Sequence, residues 1–259
     1  MSLGRLHDGL ELGTKGRPMN EPSWETDYVA SGGMGNAMLY RMVKEHIGHR
    51  DHEITRDKIW IIGRAYSASI ARGAGAKGQD VKDVEGGLFG LVARQMANQC
   101  EKIDGLIEAC RGLERVSPEN VDLAVETHGF LDTLIVKCIH EWQGRSYGQD
   151  GNRRVSSRGS FSSKYLHFHA PMAFFILDSI VERRVGMYAK RNQFSDDQRR
   201  FIAKLKGRYG KHCGRMLACA ENLYAHTAWT PRLIDSHFMK YNQATPPPAE
   251  IAEIVDEDS

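Results

Sequence analysis

The residues whose types and spacing best suit chemistry lie between Gly159 and Met187, in the stretch GSFSSKYLHFHAPMAFFILDSIVERRVGM. Asp178 follows the apolar run Phe174-Phe175-Ile176-Leu177. Ser179 and Glu182 just beyond it have capping-box spacing, and Ile180, Val181 and Val185 give the next helix an apolar side. Asp178 is therefore expected at or just before a helix N-terminus. The helix dipole favours the anion there, and the apolar run screens it from water on one side. Such a carboxylate can stabilise a developing positive charge, and it can equally be a plain N-cap. Lys164 lies on the preceding helix, before a Pro-containing turn, and helix–turn–helix geometry brings it toward the same cleft. A lysine partly desolvated there can attack a sugar C1′ as a Schiff-base nucleophile, with Asp178 opposite an oxocarbenium-like transition state. On spacing alone, an exposed lysine near a helix cap fits equally well.

His167 and His169 form an HxH pair. On a strand both rings would point the same way and suit a metal, but on a helix positions i and i+2 lie on different faces. The other histidines, His128, His140, His212 and His226 among them, have no ligand spacing, and packed core histidines are the better reading. No metal and no cofactor is expected.

The elements that must position these groups read as helices. Tyr28, Met34, Met38, Met42 and Ile47 fall near helical spacing between Trp24 and His49. Lys58 to Ile70 is assigned to a helix, since no partner strand is evident. Gly73 to Gly78 matches GxGxxG without the surrounding βαβ repeats that a dinucleotide site needs, and it reads as a flexible loop. A long helix is expected from Val81 to about Arg111, with a break at Gly86-Gly87. Ser117-Pro118 signals the start of another, as N-cap and N1 proline, running to about Trp142. Gly144 to Gly159 reads as a loop. Ser195-Asp196-Asp197 caps a basic helix, Gly214 to His226 forms another, and Thr230-Pro231 starts the last. The fold class is all-α.

Three regions divide the chain: a loosely ordered arm over 1–22, a helical domain over 23–243, and a Pro-rich acidic tail over 244–259. The chain carries a formal charge of +2, but the tail holds five of its 33 acidic residues and no base, which leaves 35 basic against 28 acidic residues in the rest. Between Arg183 and Arg215 eleven lysines and arginines face two acids, Asp196 and Asp197. That run fits a phosphate-binding face, and it fits a solvated helix surface as well. The five cysteines are widely spaced without CxxC, which argues against a disulfide framework and for buried free thiols. With no apolar run of membrane-spanning length and no secretory leader, a soluble cytoplasmic protein is expected.

The order Gly159-x-x-x-Ser163-Lys164, helix, apolar run, then Leu177-Asp178-Ser179-x-Val181-x-Arg183-Arg184-Val185 resembles the helix-hairpin-helix DNA glycosylases. The likeness covers about thirty residues. It implies a two-lobed helical fold around a central cleft, with double-stranded DNA as the partner. Asp178 would be the catalytic carboxylate, and Lys164 a nucleophile or a phosphate ligand. Arg183 and Arg184 would lie near the DNA backbone, as would Arg153, Arg154, Arg158 and Ser160 in the hairpin segment Asn152 to Ser160. That segment lacks the family's apolar-Pro-Gly-apolar-Gly signature, and the lysine-to-aspartate spacing is shorter than the family's.

The form SSKYLHFHAP…DS is also similar to an outlying, anti-phage branch of that superfamily, which removes glucosylated hydroxymethylcytosine from phage DNA. The resemblance implies base flipping into a wide, polar pocket. Trp60, Arg64, Tyr66, Ser67, His167 and His169 are its candidate lining. Trp60 alone fits core packing better. Other classes remain: a repair glycosylase for damaged bases, a nucleic-acid-binding module without chemistry, and a metal-dependent hydrolase using His167, His169 and Asp178.

Overall fold

The computed structural model describes residues 36–72, 74–75, 81–148, 157–192, 194–225 and 228–240. Every regular element among them is a helix. In chain order these are α1 over residues 36–45, α2 His52–Ala65, α3 Val81–Asn98, α4 Cys100–Arg111 and α5 Val121–Trp142. They continue with α6 Gly159–His169, α7 Ser179–Asn192, α8 Asp196–Lys204, α9 Gly207–Leu223 and α10 Pro231–Lys240. Helix α3 packs on α2 and α5, while α8 and α7 pack on α9, and α10 lies against α7 and α9. Helix α5 touches both sets, through α3 and α4 on one side and α9 on the other. The arm over 1–22, the tail over 244–259, and most of the GxGxxG segment lie outside the described residues, as do Arg153 and Arg154.

The apolar spacing that predicts the helices also places the core. Ile59, Ile62, Leu88, Val92, Met96 and Ile135 are fully buried where α2, α3 and α5 meet. Several boundaries differ from expectation: α2 starts at His52 rather than Lys58, α9 starts at Gly207 rather than Gly214, and two more differ for physical reasons. Helix α3 runs unbroken through Gly86-Gly87, and the break falls at Gln99. A Cβ on Gly87 would sit 2.2 Å from the Trp142 indole, so this glycine allows α3 and α5 to approach rather than ending a helix. Ser117-Pro118 forms a turn instead of the first helical residues. The Asn120 side chain accepts the Ser117 N–H at 2.8 Å and donates to the Arg115 carbonyl at 3.0 Å, and α5 begins at Val121.

The caps at Ser195 and Thr230 are as expected. Ser195 and Gln198 form a full capping box, and Thr230 Oγ1 accepts the Leu233 N–H at 3.1 Å. All five cysteines are free thiols, four of them buried. Burial pushes the Cys138 and Cys213 thiols up to about 12, which leaves them unreactive. No helix of the described residues is long and apolar enough to cross a membrane.

Helix α6 is the axis of the fold. All its residues but Ser160 are buried, and it contacts α2, α4 and α5. A buried helix must bond the polar side chains it carries, and on α6 Ser163, Lys164, His167 and His169 find partners, while Ser162 Oγ has none among the described residues. Those obligations build the site.

Candidate active site

Helix α5 fixes the start of α6. Asp132 accepts the Ser157 hydroxyl at 2.7 Å and the Arg158 N–H at 2.5 Å, and His128 Nε2 meets the Gly159 carbonyl at 3.0 Å. A Cβ on Gly159 would press on His128 at 3.3 Å and Leu177 at 3.4 Å, so a glycine suits this junction. One helical turn on, Lys164 Nζ donates to Ser160 Oγ at 3.0 Å.

The run from Phe174 to Leu177 is outside any helix and pairs with no strand among the described residues, so side chains must bond its buried backbone. His167 Nδ1 donates to the Phe174 carbonyl at 2.7 Å, and the Tyr209 hydroxyl donates to the Phe175 carbonyl at 3.0 Å. His212 Nε2 donates to the Ile176 carbonyl at 3.0 Å, and the Leu177 N–H donates to Ser163 Oγ at 2.9 Å. Helices α6 and α9 thereby grip the run from both sides and deliver the residue that follows it, Asp178, to Lys164.

Asp178 is the cap of α7. Its Oδ1 accepts the Ile180 N–H at 2.9 Å, and its carbonyl accepts the Glu182 N–H at 2.8 Å. Its Oδ2 lies 3.3 Å from Lys164 Nζ. The Lys164 side chain is 3% exposed and that of Asp178 28%, so the carboxylate is the member of the pair that meets solvent. The expected capping box between Ser179 and Glu182 does not close, because the Glu182 carboxylate pairs with Arg208 instead. Asp178 takes the cap position, so Ser179 is already the first helical residue, and Glu182 makes a bidentate contact with the guanidinium.

Tyr66 lies beside the pair, and α10 carries a further buried ion pair. The Tyr66 ring lies 5.7 Å from Lys164 Nζ, and its hydroxyl donates to Asn36 Oδ1 at 2.8 Å. Arg232 on α10 pairs with the buried Asp235 at 2.9 Å. Burial raises the Asp235 pKa to about 6, against the pull of Arg232, with the Asp178 charge pushing the same way and Lys164 opposing. Sequence reasoning missed both α10 residues. The i, i+3 acid–base spacing of Arg232 and Asp235 was visible, but any solvated helix face offers the same signal.

The other sequence candidates divide. Tyr66 reaches the site because α2 ends in a Schellman turn: Ala68 N–H bonds the Gly63 carbonyl at 2.8 Å and Ser67 N–H bonds the Arg64 carbonyl at 3.2 Å. Ser67 occupies the left-handed position, φ 49°, and is exposed, so its role is to turn the chain rather than to line a pocket. His167 backs the site. It holds the Phe174 carbonyl and accepts the Tyr40 hydroxyl at 2.5 Å, and burial lowers its pKa to about 3, so the ring is neutral.

The remaining members of the pocket set are corrections. His169 turns to a separate buried network, donating to the Tyr165 carbonyl at 2.8 Å, stacking on His49 and meeting Lys58 Nζ at 3.4 Å. The two rings of the HxH pair thus serve different partners and form no chelate. Among the described residues no group of three or more metal-ligating side chains converges. Trp60 is 50% exposed, away from the buried stripe of α2, and so lies outside the core. Arg64 pairs with Glu85 at 2.5 Å, on the α3 side of α2.

Several of the residues expected at DNA already have partners within the chain. Arg158 spends its guanidinium on the Ile70 and Arg72 carbonyls, and Ser160 engages Lys164. Arg184 holds the Phe238 and Met239 carbonyls at the end of α10. Arg183 is exposed. The basic run beyond it is partly neutralised: Arg199, Arg200 and Arg208 pair with Asp196, Asp197 and Glu182, and Lys211 caps α8 through the Ile202 and Ala203 carbonyls. A separate cleft of about 590 Å³, lined by Arg115, Phe201, Tyr224 and Trp229, contains none of the candidate residues.

No protein-family model, no curated protein and no solved structure matches this chain.

Proposed function

We propose that the chain is a DNA glycosylase that hydrolyses the N-glycosidic bond of a flipped, modified base and leaves an abasic site. The observation that supports this reading most is the Lys164–Asp178 pair. A carboxylate fixed at a helix N-terminus, backed by a buried lysine and open on one side, suits a sugar C1′ where positive charge develops. Under this reading the helices on either side of α5 are two lobes, and the cleft between them has Asp178 at its floor.

In the reaction the flipped nucleotide presents C1′ to the open side of Asp178. As the C1′–N bond lengthens, the carboxylate stabilises the oxocarbenium-like sugar and orients a water for attack on C1′. Lys164 donates to Ser160 and Asp178. It holds Asp178 in place or, in a lyase-coupled variant, attacks C1′ itself. Tyr66 offers a ring for the extruded base to stack on. Arg183 contributes a backbone contact. The substrate proposed is duplex phage DNA carrying α-glucosyl-hydroxymethylcytosine, met in the cytoplasm as antiviral defence.

The test is base release, followed by mass spectrometry, from unmodified, alkylated or oxidised, and glucosyl-hydroxymethylcytosine DNA. Release from the glucosylated DNA alone supports the defence role. Release from damaged DNA keeps the chemistry and makes the protein a repair enzyme. No release from any of them, with DNA binding intact, leaves a binding module.

A further inference from the structure

The cleft of about 590 Å³ is walled by the turn before α5, by α8 and α9, and by residues leading into α10, and the mechanism above does not use it. Its volume falls within the roughly 300–1,000 Å³ of sites that take small organic ligands. Phe201, Leu217 and Tyr224 give it apolar walls.

Arg115 is the one basic residue of the described lining, and its guanidinium is held in place. It lies 4.3 Å from the centre of the Trp229 ring, and Nη1 donates to the Trp229 carbonyl at 3.2 Å. Trp229 in turn stacks on the buried Phe175 at 6.1 Å, with the ring planes 15° apart. The cation therefore rests on a ring that is itself fixed, while Arg115 Nε and Nη2 have no partner among the described residues. That open edge presents parallel N–H groups, a fork suited to one oxyanion. The Tyr224 hydroxyl also has no partner among the described residues, and burial raises its pKa, so the ring stays neutral.

The lining also holds two exposed acids, Glu221 and Asp197. Glu221 Oε2 accepts from Gln198 Nε2 at 2.8 Å, and Asp197 pairs with Arg200. Aromatic walls suit a flat ring, and the single fork suits one anionic group. The acids accept from ring amino groups and oppose any further negative charge. An aromatic amino acid carries the same kinds of group but leaves much of the volume unfilled.

We propose that this cleft binds a nucleoside monophosphate whose base carries an amino group. The base packs against Phe201 and Tyr224 with its amino group toward Glu221, and the phosphate meets the open edge of Arg115. This site is separate from the Lys164–Asp178 pair and does not rest on the glycosylase reading.

The experiment is calorimetric titration of the full chain with adenosine monophosphate, beside adenosine, adenosine triphosphate and tryptophan. The monophosphate should bind saturably, and about tenfold or more tighter than each of the other three. Arg115→Gln should bring it down to the affinity of adenosine and leave adenosine unchanged. Tyr224→Leu should weaken both by about tenfold, through loss of a stacking face. Asp178→Asn should bind the monophosphate as wild type does. Melting curves establish that each variant is folded. Because Arg115 rests on Trp229, Arg115→Lys is the second variant: it keeps the charge without the fork and should also lose about tenfold. No saturable binding by wild type overturns the proposal, as does tighter binding of tryptophan. Unchanged binding in the folded Arg115 and Tyr224 variants overturns it too. Loss of binding in Asp178→Asn would move the nucleotide to the Lys164–Asp178 pair and overturn the assignment to this cleft.

Discussion

Lys164 Nζ stands 3.3 Å from Asp178 Oδ2, and the two residues come from successive helices joined by a run with no sheet partner. The pair is asymmetric, with the lysine sealed and the carboxylate open. Lys164→Gln should therefore leave DNA affinity unchanged while slowing base release, with the abasic product the same. Stability should fall by about 1–3 kcal/mol as a buried charged contact is lost, with the partial exposure of Asp178 limiting the effect. Binding titrations, single-turnover rates and denaturant melts check these in turn. A wild-type complex trapped by borohydride would assign the lysine to attack on C1′ instead of support.

Ser67 adopts φ 49° in the turn that carries Tyr66 into the site. A glycine takes this position without strain. Ser67→Gly should raise stability by about 1 kcal/mol, read as a shift of the denaturation midpoint at constant slope. The Tyr66 contact to Asn36 should persist.

Acid should unfold the protein early. Burial, the leading cause in each case, lowers the pKa of His49, His128, His167, His169 and His212, to about 3 for His167 and about 4 for His212. These rings stay neutral in the folded state while the unfolded chain takes up protons below 6.5, so their stability is present above that pH and lost as pH falls toward the folded values. Each withdraws about 1.4 kcal/mol per pH unit within its window. Asp235, raised to about 6, acts in the opposite sense between that value and 3.8, and offsets one histidine. Denaturant melts at successive pH values should show stability dropping steeply below about pH 6.5. A flat profile would mean that the histidines are not buried neutral.

Arg183 and Arg184 are neighbours with different work. Arg184 holds two carbonyls of α10, whereas Arg183 is exposed at the start of α7. Arg183→Ala should weaken DNA binding evenly across sequences and lower the salt slope by about one, without loss of stability. Arg184→Ala should lower the melting temperature and leave that slope alone.

Much of this fold was legible because its signals are local. Apolar spacing marked the helices, and hydroxyl and proline signals marked the caps at Ser195 and Thr230. The order of α6, apolar run and α7 placed Lys164 and Asp178 near each other. The misreadings have two sources. A side chain's charge does not reveal whether its donors are already spent on carbonyls, so Arg158 and Arg184 read as DNA contacts. A helical face is also a matter of rotation. Trp60 and Arg64 lie only a few residues from Tyr66, but on other sides of α2. Arg232 and Asp235 come from the far end of the chain, and no local spacing ties them to Lys164.

The central claim is that Asp178 carries out chemistry rather than merely capping α7. Asparagine caps a helix nearly as well as aspartate, so Asp178→Asn separates the two roles. The measurement is the single-turnover rate of base release from glucosyl-hydroxymethylcytosine duplex DNA by wild type and Asp178→Asn, with melting and DNA affinity determined on the same samples. The account predicts a folded variant that binds DNA as wild type does and releases base at least about a hundredfold more slowly. Equal rates from the two proteins would contradict it and leave Asp178 as a cap.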